Sequence, residues 1–174
     1  MAEITAALVK ELREMTGAGM MDCKKALTAT GGEIDKAVDF LREKGLAGAQ
    51  KKAGRIAAEG VVDVCVSDDA KRAVVVEVNA ETDFVAKNEK FRTYVAEVAA
   101  QALKTGAADV ETFLEEKWEL DESLTVGQKL SSMISVIGEN MSIRRFEKVE
   151  ENDGCVVSYI HGGGKIGVLV DVVT

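Results

Sequence analysis

Covalent catalysis needs a nucleophile held beside a base, and the ordinary constellations that join the two are missing from this sequence. His161 is its one histidine, so no Ser-His-Asp or Cys-His system extends beyond a single candidate base, and a metal site with two histidine ligands is excluded. The cysteines, Cys23, Cys65 and Cys155, are an odd count at wide spacing with no Cys-x-x-Cys. That pattern fits reduced, buried thiols better than a disulfide or zinc framework, and it points to the cytoplasm. Gly162-Gly163-Gly164-Lys165 invites comparison with a phosphate-binding loop. However, Ile166 stands where Ser or Thr would hold magnesium, and the residues beyond it pattern as a strand. A hairpin turn needing positive φ is the simpler account. The paired acids Glu115-Glu116 and Glu150-Glu151 lie in charged stretches of the kind that form solvated faces rather than catalytic dyads. The residues thus imply no catalytic group, no metal and no cofactor.

One segment resists a simple packing account. Residues 79–88, Asn-Ala-Glu-Thr-Asp-Phe-Val-Ala-Lys-Asn, lie between a strand that reads as buried and a helix whose apolar face begins at Phe91. Phe84 and Val85 therefore sit on a turn, and turns usually run over the surface. In one account Thr82 or Asp83 caps a helix and Phe84 packs inward as a staple. In the other, Phe84 is an exposed aromatic on a rigid corner beside a carboxylate, the form of a protein-binding hot spot.

The elements that would position these residues fall into two parts. The chain has 174 residues, 47% hydrophobic and 30% charged, enough for one ordinary domain or a small one beside a medium one. Its net charge of −8 excludes a general electrostatic footprint for nucleic acid or anionic lipid. With 5% aromatic residues, base-stacking platforms are scarce as well. No direct nucleic-acid or membrane partner is expected, no apolar run approaches a membrane span, and the N-terminus lacks a targeting pattern. Over the first 45 residues, Ile4, Leu8, Leu12 and Met15, then Met20, Cys23, Leu27 and Thr30, then Ile34, Ala37, Val38 and Leu41 recur at helical spacing. Gly17, Gly19, Gly31, Gly32 and Gly45 punctuate three short helices that must pack together to be stable. The basic stretch of residues 50–55 reads as a connector.

Beyond it the period changes to 2. Val62, Val64 and Val66, then Val74, Val76 and Val78, flank the turn residues Asp68-Asp69-Ala70-Lys71 and predict a hairpin. Phe91, Val95, Val98 and Ala102 mark a long helix, residues 109–120 a short one, and Val126, Leu130, Met133, Ile134 and Ile137 another. Thr125 is placed to cap that last helix and Gly138 to end it. Strand patterning returns over residues 143–149, 155–160 and 166–173, separated by Asn152-Asp153-Gly154 and the glycine run. The expected fold is α+β. An apolar strand reaching Thr174 with no polar tail makes a shortened chain the simpler expectation.

Two long motifs resemble those of the bacterial elongation factor Ts family. They are Leu12-Arg13-Glu14-Met15-Thr16-Gly17-Ala18-Gly19-Met20-Met21-Asp22-Cys23-Lys24-Lys25-Ala26-Leu27, and Glu77-Val78-Asn79-Ala80-Glu81-Thr82-Asp83-Phe84-Val85-Ala86-Lys87-Asn88. The similarity extends to residues 51–55, to Ile137-Gly138-Glu139-Asn140 with Arg144-Arg145, and to residues 158–162 and 165–170. It implies a ubiquitin-associated-like three-helix domain over residues 1–50, the N-terminal subdomain of a core over 51–140, and the start of a C-terminal subdomain over 141–174. Longer family members continue with a helical dimerisation insert and further modules, which leaves homodimerisation of the intact protein open. The run Gly162-Gly163-Gly164 is richer in glycine than the family form.

The same resemblance implies a guanine-nucleotide exchange factor, not an enzyme, whose partner is the GTPase elongation factor Tu in its GDP-bound and nucleotide-free states. Thr82, Asp83, Phe84, Val85, Ile137, Gly138 and His161 would then contact the partner and drive exchange. Phe84 would insert between helices of the nucleotide domain, and Asp83 would displace the region that orients magnesium. Ile137, Gly138 and His161 would flank this wedge, and Lys51, Lys52 and Arg55 would assist docking. Residue by residue, plainer readings stand beside these. Ile137 fits a core position, Gly138 a helix cap, His161 a strand-end hydrogen-bonder, and the basic trio a solvated patch. An adaptor that binds proteins without altering nucleotide affinity is the alternative function.

Overall fold

The computed structural model describes residues 4–173. Residues 1–3 and Thr174, where the expectation of a shortened chain rests, lie outside them. The chain divides into two compact units, one of residues 1–54 and 130–138, the other of residues 55–129 and 139–174.

In the first unit α1 (Ala6–Thr16), α2 (Met20–Ala29) and α3 (Ile34–Lys52) follow one another. The Thr5 hydroxyl accepts from the Leu8 N–H at 3.2 Å to start α1, and Gly17, with φ +68°, ends it. Val9, Leu12, Cys23, Ala26, Leu27 and Ala37 form the buried core of the module. These residues come mostly from the helical stripes read in the sequence. Gly45 does not end the third helix. It lies buried within α3 beside the Ser131 carbonyl and Ser135 of the helix that closes this unit. Interior glycine costs a helix only about 1 kcal/mol relative to alanine, a cost that packing of the helix can outweigh. α3 therefore runs on to Lys52, and Lys51 and Lys52 occupy its last turn rather than a connector, where cations suit the helix dipole.

The second unit is built on an antiparallel sheet in the order β1 (Glu59–Val66), β2 (Arg72–Ala80), β5 (Met141–Glu150). Val74, Val76, Val78 and Ala80 alternate to one face of β2 and are buried. α5 (Glu89–Lys104) packs on β1 and β2 and buries Phe91, Val95, Val98 and Ala102 as its periodicity predicted. Val62 and Val75 belong to the opposite face, where the Gly167 backbone of the β6 (Gly154–His161) and β7 (Ile166–Val173) hairpin comes close enough that a Cβ would press on both side chains. The Asn152-Asp153-Gly154 turn does not pair the strands on either side of it, because β5 is taken by β2 and β6 pairs with β7. The short helix expected over residues 109–120 stops sooner. α6 spans Val110–Glu115, and Lys117–Trp118 (β3) then pairs with Asp121–Thr125 (β4). α7 (Val126–Ile137) opens with a reciprocal cap: Gln128 N–H donates to the Thr125 hydroxyl at 3.1 Å and Thr125 N–H donates to the Gln128 side chain at 2.9 Å. The fold is α+β, a three-helix module followed by a strand-containing core.

Two features fix the end of β2. Gly60, at φ +140°, faces Asn79 across the ladder, and a Cβ there would overlap the Val78 carbonyl oxygen and stand 2.7 Å from Asn79 Cα. On the other side, a bulge between Glu77 and Val78 inserts Arg144 into β5. Arg144 Nη1 and Arg145 Nε then both donate to the Glu77 carboxylate, at 3.1 and 2.8 Å. Burial would raise the Glu77 pKa, but bonds from Arg145 and Asn79 and the charge of Arg144 outweigh it and hold the group below its ordinary 4.5.

Gly60→Ala is therefore expected to destabilise the protein by at least about 2 kcal/mol through overlap and backbone strain, read as a lowered unfolding midpoint; an unchanged midpoint would refute the tight approach. Because the folded pKa of Glu77 is depressed, its stabilisation is complete above about pH 4.5 and disappears as pH falls through the lower folded value. Glu77→Gln is expected to lower the melting temperature at pH 7, with the deficit closing in strong acid. A deficit that stays constant to pH 2 would show that the carboxylate charge is not the cause.

Candidate functional site

β2 ends at Ala80, and the chain turns through Glu81 and Thr82 into α4 (Asp83–Ala86), a single turn of helix. A helix of four residues cannot sustain itself, so its geometry comes from its caps. The Thr82 hydroxyl accepts from Val85 N–H at 3.3 Å, and the Lys87 N–H closes the other end on the Asp83 and Phe84 carbonyls at 3.1 and 3.3 Å. Asn88 then caps α5 by accepting from the Phe91 N–H at 3.3 Å. Between two successive caps the backbone has little freedom, and its apolar residues divide sharply. Ala86 is buried, Val85 half-buried, and Phe84 is 82% exposed.

Thr82 is thus the cap that the residue pattern allowed, but Phe84 does not pack inward as its staple. The ring stands in solvent on a fixed corner. Exposing a phenylalanine forgoes on the order of 1.5–3 kcal/mol of burial, and the interactions that hold the corner must come from elsewhere. Next to it, Asp83 accepts from Lys87 Nζ at 2.7 Å. The Lys87 ammonium, with a smaller contribution from Lys165, keeps the Asp83 carboxyl below its usual range, so beside Phe84 stands an ionised carboxylate paired with a cation.

Lys165 brings the β6–β7 turn into this neighbourhood. Its Nζ donates to Glu59 at 2.6 Å, Arg92 of α5 donates to the Gly163 carbonyl at 2.6 Å, and Val62 N–H donates to the Gly164 carbonyl at 2.7 Å. Gly162, Gly163 and Gly164 all have positive φ, which is the turn geometry expected of them and not a phosphate loop opening a helix. His161 precedes the turn at the end of β6. It is exposed, its Nδ1 lies 3.0 Å from Tyr159 Oη, and the two ring centroids are 5.9 Å apart with the planes tilted by 36°.

The α+β unit therefore holds Thr82, Asp83, Phe84 and Val85 on one corner, with His161 beside the turn whose Lys165 influences Asp83. Ile137 and Gly138 belong to the helical unit. Ile137 ends α7 half-buried, and Gly138, at φ +90°, donates its N–H to the Ile134 carbonyl at 2.9 Å as a left-handed cap. Lys51 and Lys52 lie in the last turn of α3 in that unit. Arg55 opens the other unit, and its guanidinium lies 3.4 Å from Glu81.

Two residues that sequence reasoning did not assign a role touch the corner directly. Glu139 accepts from both the N–H and the hydroxyl of Thr82, at 3.1 and 2.7 Å. Glu81 accepts from the Asn140 N–H at 2.6 Å. Their separation along the chain hides the pairing, and the signal for it in the sequence was the further matching stretch Ile137-Gly138-Glu139-Asn140 beyond the two long motifs. Of the cysteines, Cys23 is buried and Cys65 and Cys155 are half-buried, less enclosed than expected. Burial and the nearby Asp63 push the Cys65 thiol up, away from the thiolate. Among the described residues no cluster of His, Cys, Asp and Glu is arranged to hold a metal ion, and no helix is long and apolar enough to cross a membrane.

Residues 81–174 match the family model described as Elongation factor TS. Over 169 residues the chain is 57% identical to Elongation factor Ts of Clostridium tetani (strain Massachusetts / E88), covering 97% of this chain and 56% of that relative. It is also 57% identical to the protein of the same name from Clostridium novyi (strain NT), covering 97% and 55%, and 56% identical to that of Clostridium botulinum (strain Eklund 17B / Type B), again covering 97% and 55%. The chain spans about half the length of the curated relatives it matches.

Proposed function

The chain belongs to the elongation factor Ts family, and from that premise we propose that it is a cytoplasmic guanine-nucleotide exchange factor that promotes GDP release from elongation factor Tu. The observation that carries this reading is Phe84, 82% exposed on a capped corner beside a charged Asp83. Such a ring has a purpose when it is buried in a partner.

Exchange of this kind needs no general acid or base. The factor binds the nucleotide-free GTPase more tightly than the nucleotide-bound form, and by linkage the same coupling weakens nucleotide binding. Phe84 is the wedge that enters between helices of the nucleotide domain. Asp83 brings a negative charge that displaces the segment orienting magnesium. Because magnesium keeps few protein ligands and several waters, shifting a neighbouring element weakens both the ion and the phosphates it neutralises. Thr82 and Val85 set the angle of the wedge, while Ile137, Gly138 and His161 contact the partner around it. Residues 1–50 act as the docking domain with help from Lys51, Lys52 and Arg55, residues 51–140 form the N-terminal core subdomain, and residues 141–174 begin the C-terminal one. No chemical reaction is catalysed.

A tenfold change in release rate corresponds to about 1.4 kcal/mol of barrier, so one hot-spot side chain can account for roughly two decades. Phe84→Ala is expected to retain most of the binding to elongation factor Tu and to lose most of the acceleration of GDP release at saturation. Equal maximal release rates for the variant and the parent would rule out the wedge, and binding with no acceleration by the parent itself would assign the chain to adaptors.

A further inference from the structure

An exposed aromatic can act as a wedge only if its backbone does not yield when the ring is pressed into a partner. Burial of Phe84 cannot supply that resistance, since the ring is in solvent. The resistance comes instead from the segment that follows α7. Glu139 grips Thr82 with both carboxylate oxygens: Oε2 accepts the backbone N–H at 3.1 Å and Oε1 accepts the hydroxyl at 2.7 Å. The same hydroxyl accepts from Val85 N–H, so one oxygen links Glu139 to the first turn of α4. The connection is reciprocated one residue away on each side. Glu81 Oε1 accepts the Asn140 N–H at 2.6 Å, and Asn140 Nδ2 donates to the Arg55 carbonyl at 2.7 Å. Arg55 in turn places its guanidinium on Glu81. Residues 81–82 and 139–140 thus exchange carboxylates for backbone N–H groups in both directions, and these charge-assisted bonds are half-buried, where they are stronger than at the surface.

We propose that Glu139 is a positioning residue for exchange, holding Thr82 and through it the Phe84 wedge at the angle required for insertion. Glu81, Asn140 and Arg55 complete the clamp. The inference rests on the wedge reading of Phe84 and adds that the rigidity of the corner, not only its ring, sets the exchange rate. Glu139 itself need not touch the GTPase. A slack corner can still dock, but it delivers less of its binding energy to the distorted state, which lowers the maximal rate more than the affinity.

The test is a double-mutant cycle on stimulated release of a fluorescent GDP analogue from elongation factor Tu, using Glu139→Gln, Phe84→Ala and the double variant over a range of factor concentrations. Glu139→Gln keeps the size of the side chain but removes its charge and one acceptor. Expected are a maximal rate lowered roughly tenfold with a half-saturating concentration within about twofold of the parent, and no further loss when Glu139→Gln is added to Phe84→Ala. Equal losses in both backgrounds would overturn the inference, because Glu139 would then act independently of the ring. A parental rate for Glu139→Gln, with Phe84→Ala slow, would overturn it while leaving the wedge intact. A parental rate for Phe84→Ala would remove the wedge and this inference together. Should Glu139→Gln fail to fold, Thr82→Val, which removes the hydroxyl that donates to Glu139, decides the matter: a maximal rate lowered roughly tenfold with little change in half-saturation is expected, and a parental maximal rate would refute the clamp.

Discussion

The corner at Thr82 depends on carboxylates taking up backbone N–H groups at a place where its aromatic ring adds nothing to the packing. Every regular element around it is held by buried surface: β2 by its valines, α5 by the stripe from Phe91 to Ala102. At the junction between them the chain presents its largest apolar side chain outward, and α4 is too short to hold itself together. Glu139 and Glu81 supply what packing does not. The arrangement also explains the order of elements, because the strand end, the corner and the start of β5 must come together for residues 81–82 and 139–140 to meet.

The sheet serves that meeting. β2 is its central strand, bonded along both edges, and its last residues are fixed by Gly60 on one side and by the Glu77 bulge on the other. Neither device adds chemistry. Together they set where Ala80 ends and therefore where Phe84 emerges. On the proposed exchange function this rigidity has a use, since any strain absorbed by the factor would be lost to the GTPase.

Much of this was legible from residue order alone. The helical stripes, the valine alternation, the Thr125 and Gly138 caps and the α+β class all depend on local spacing, and the structure carries them. The corner was visible as an anomaly, an aromatic on a turn, although local rules left open whether Phe84 packs inward. Other features were hidden for physical reasons. Gly45 reads as a stop because glycine is a poor helix former, yet packing against the Ser131–Ser135 stretch outweighs that preference. The Asn152-Asp153-Gly154 turn suggests a hairpin, but strand pairing is settled by partners far along the chain, and β5 is taken by β2. The clamp is the clearest case, because Glu139 bonds to a residue that no local pattern brings near it.

The most direct test of the central claim is release of a fluorescent GDP analogue from purified elongation factor Tu, with and without this chain at saturating concentration. Marked acceleration is the predicted result, and it would mean that about half the length of the curated relatives contains a working wedge. Stable complex formation with GDP release at the intrinsic rate would contradict the account.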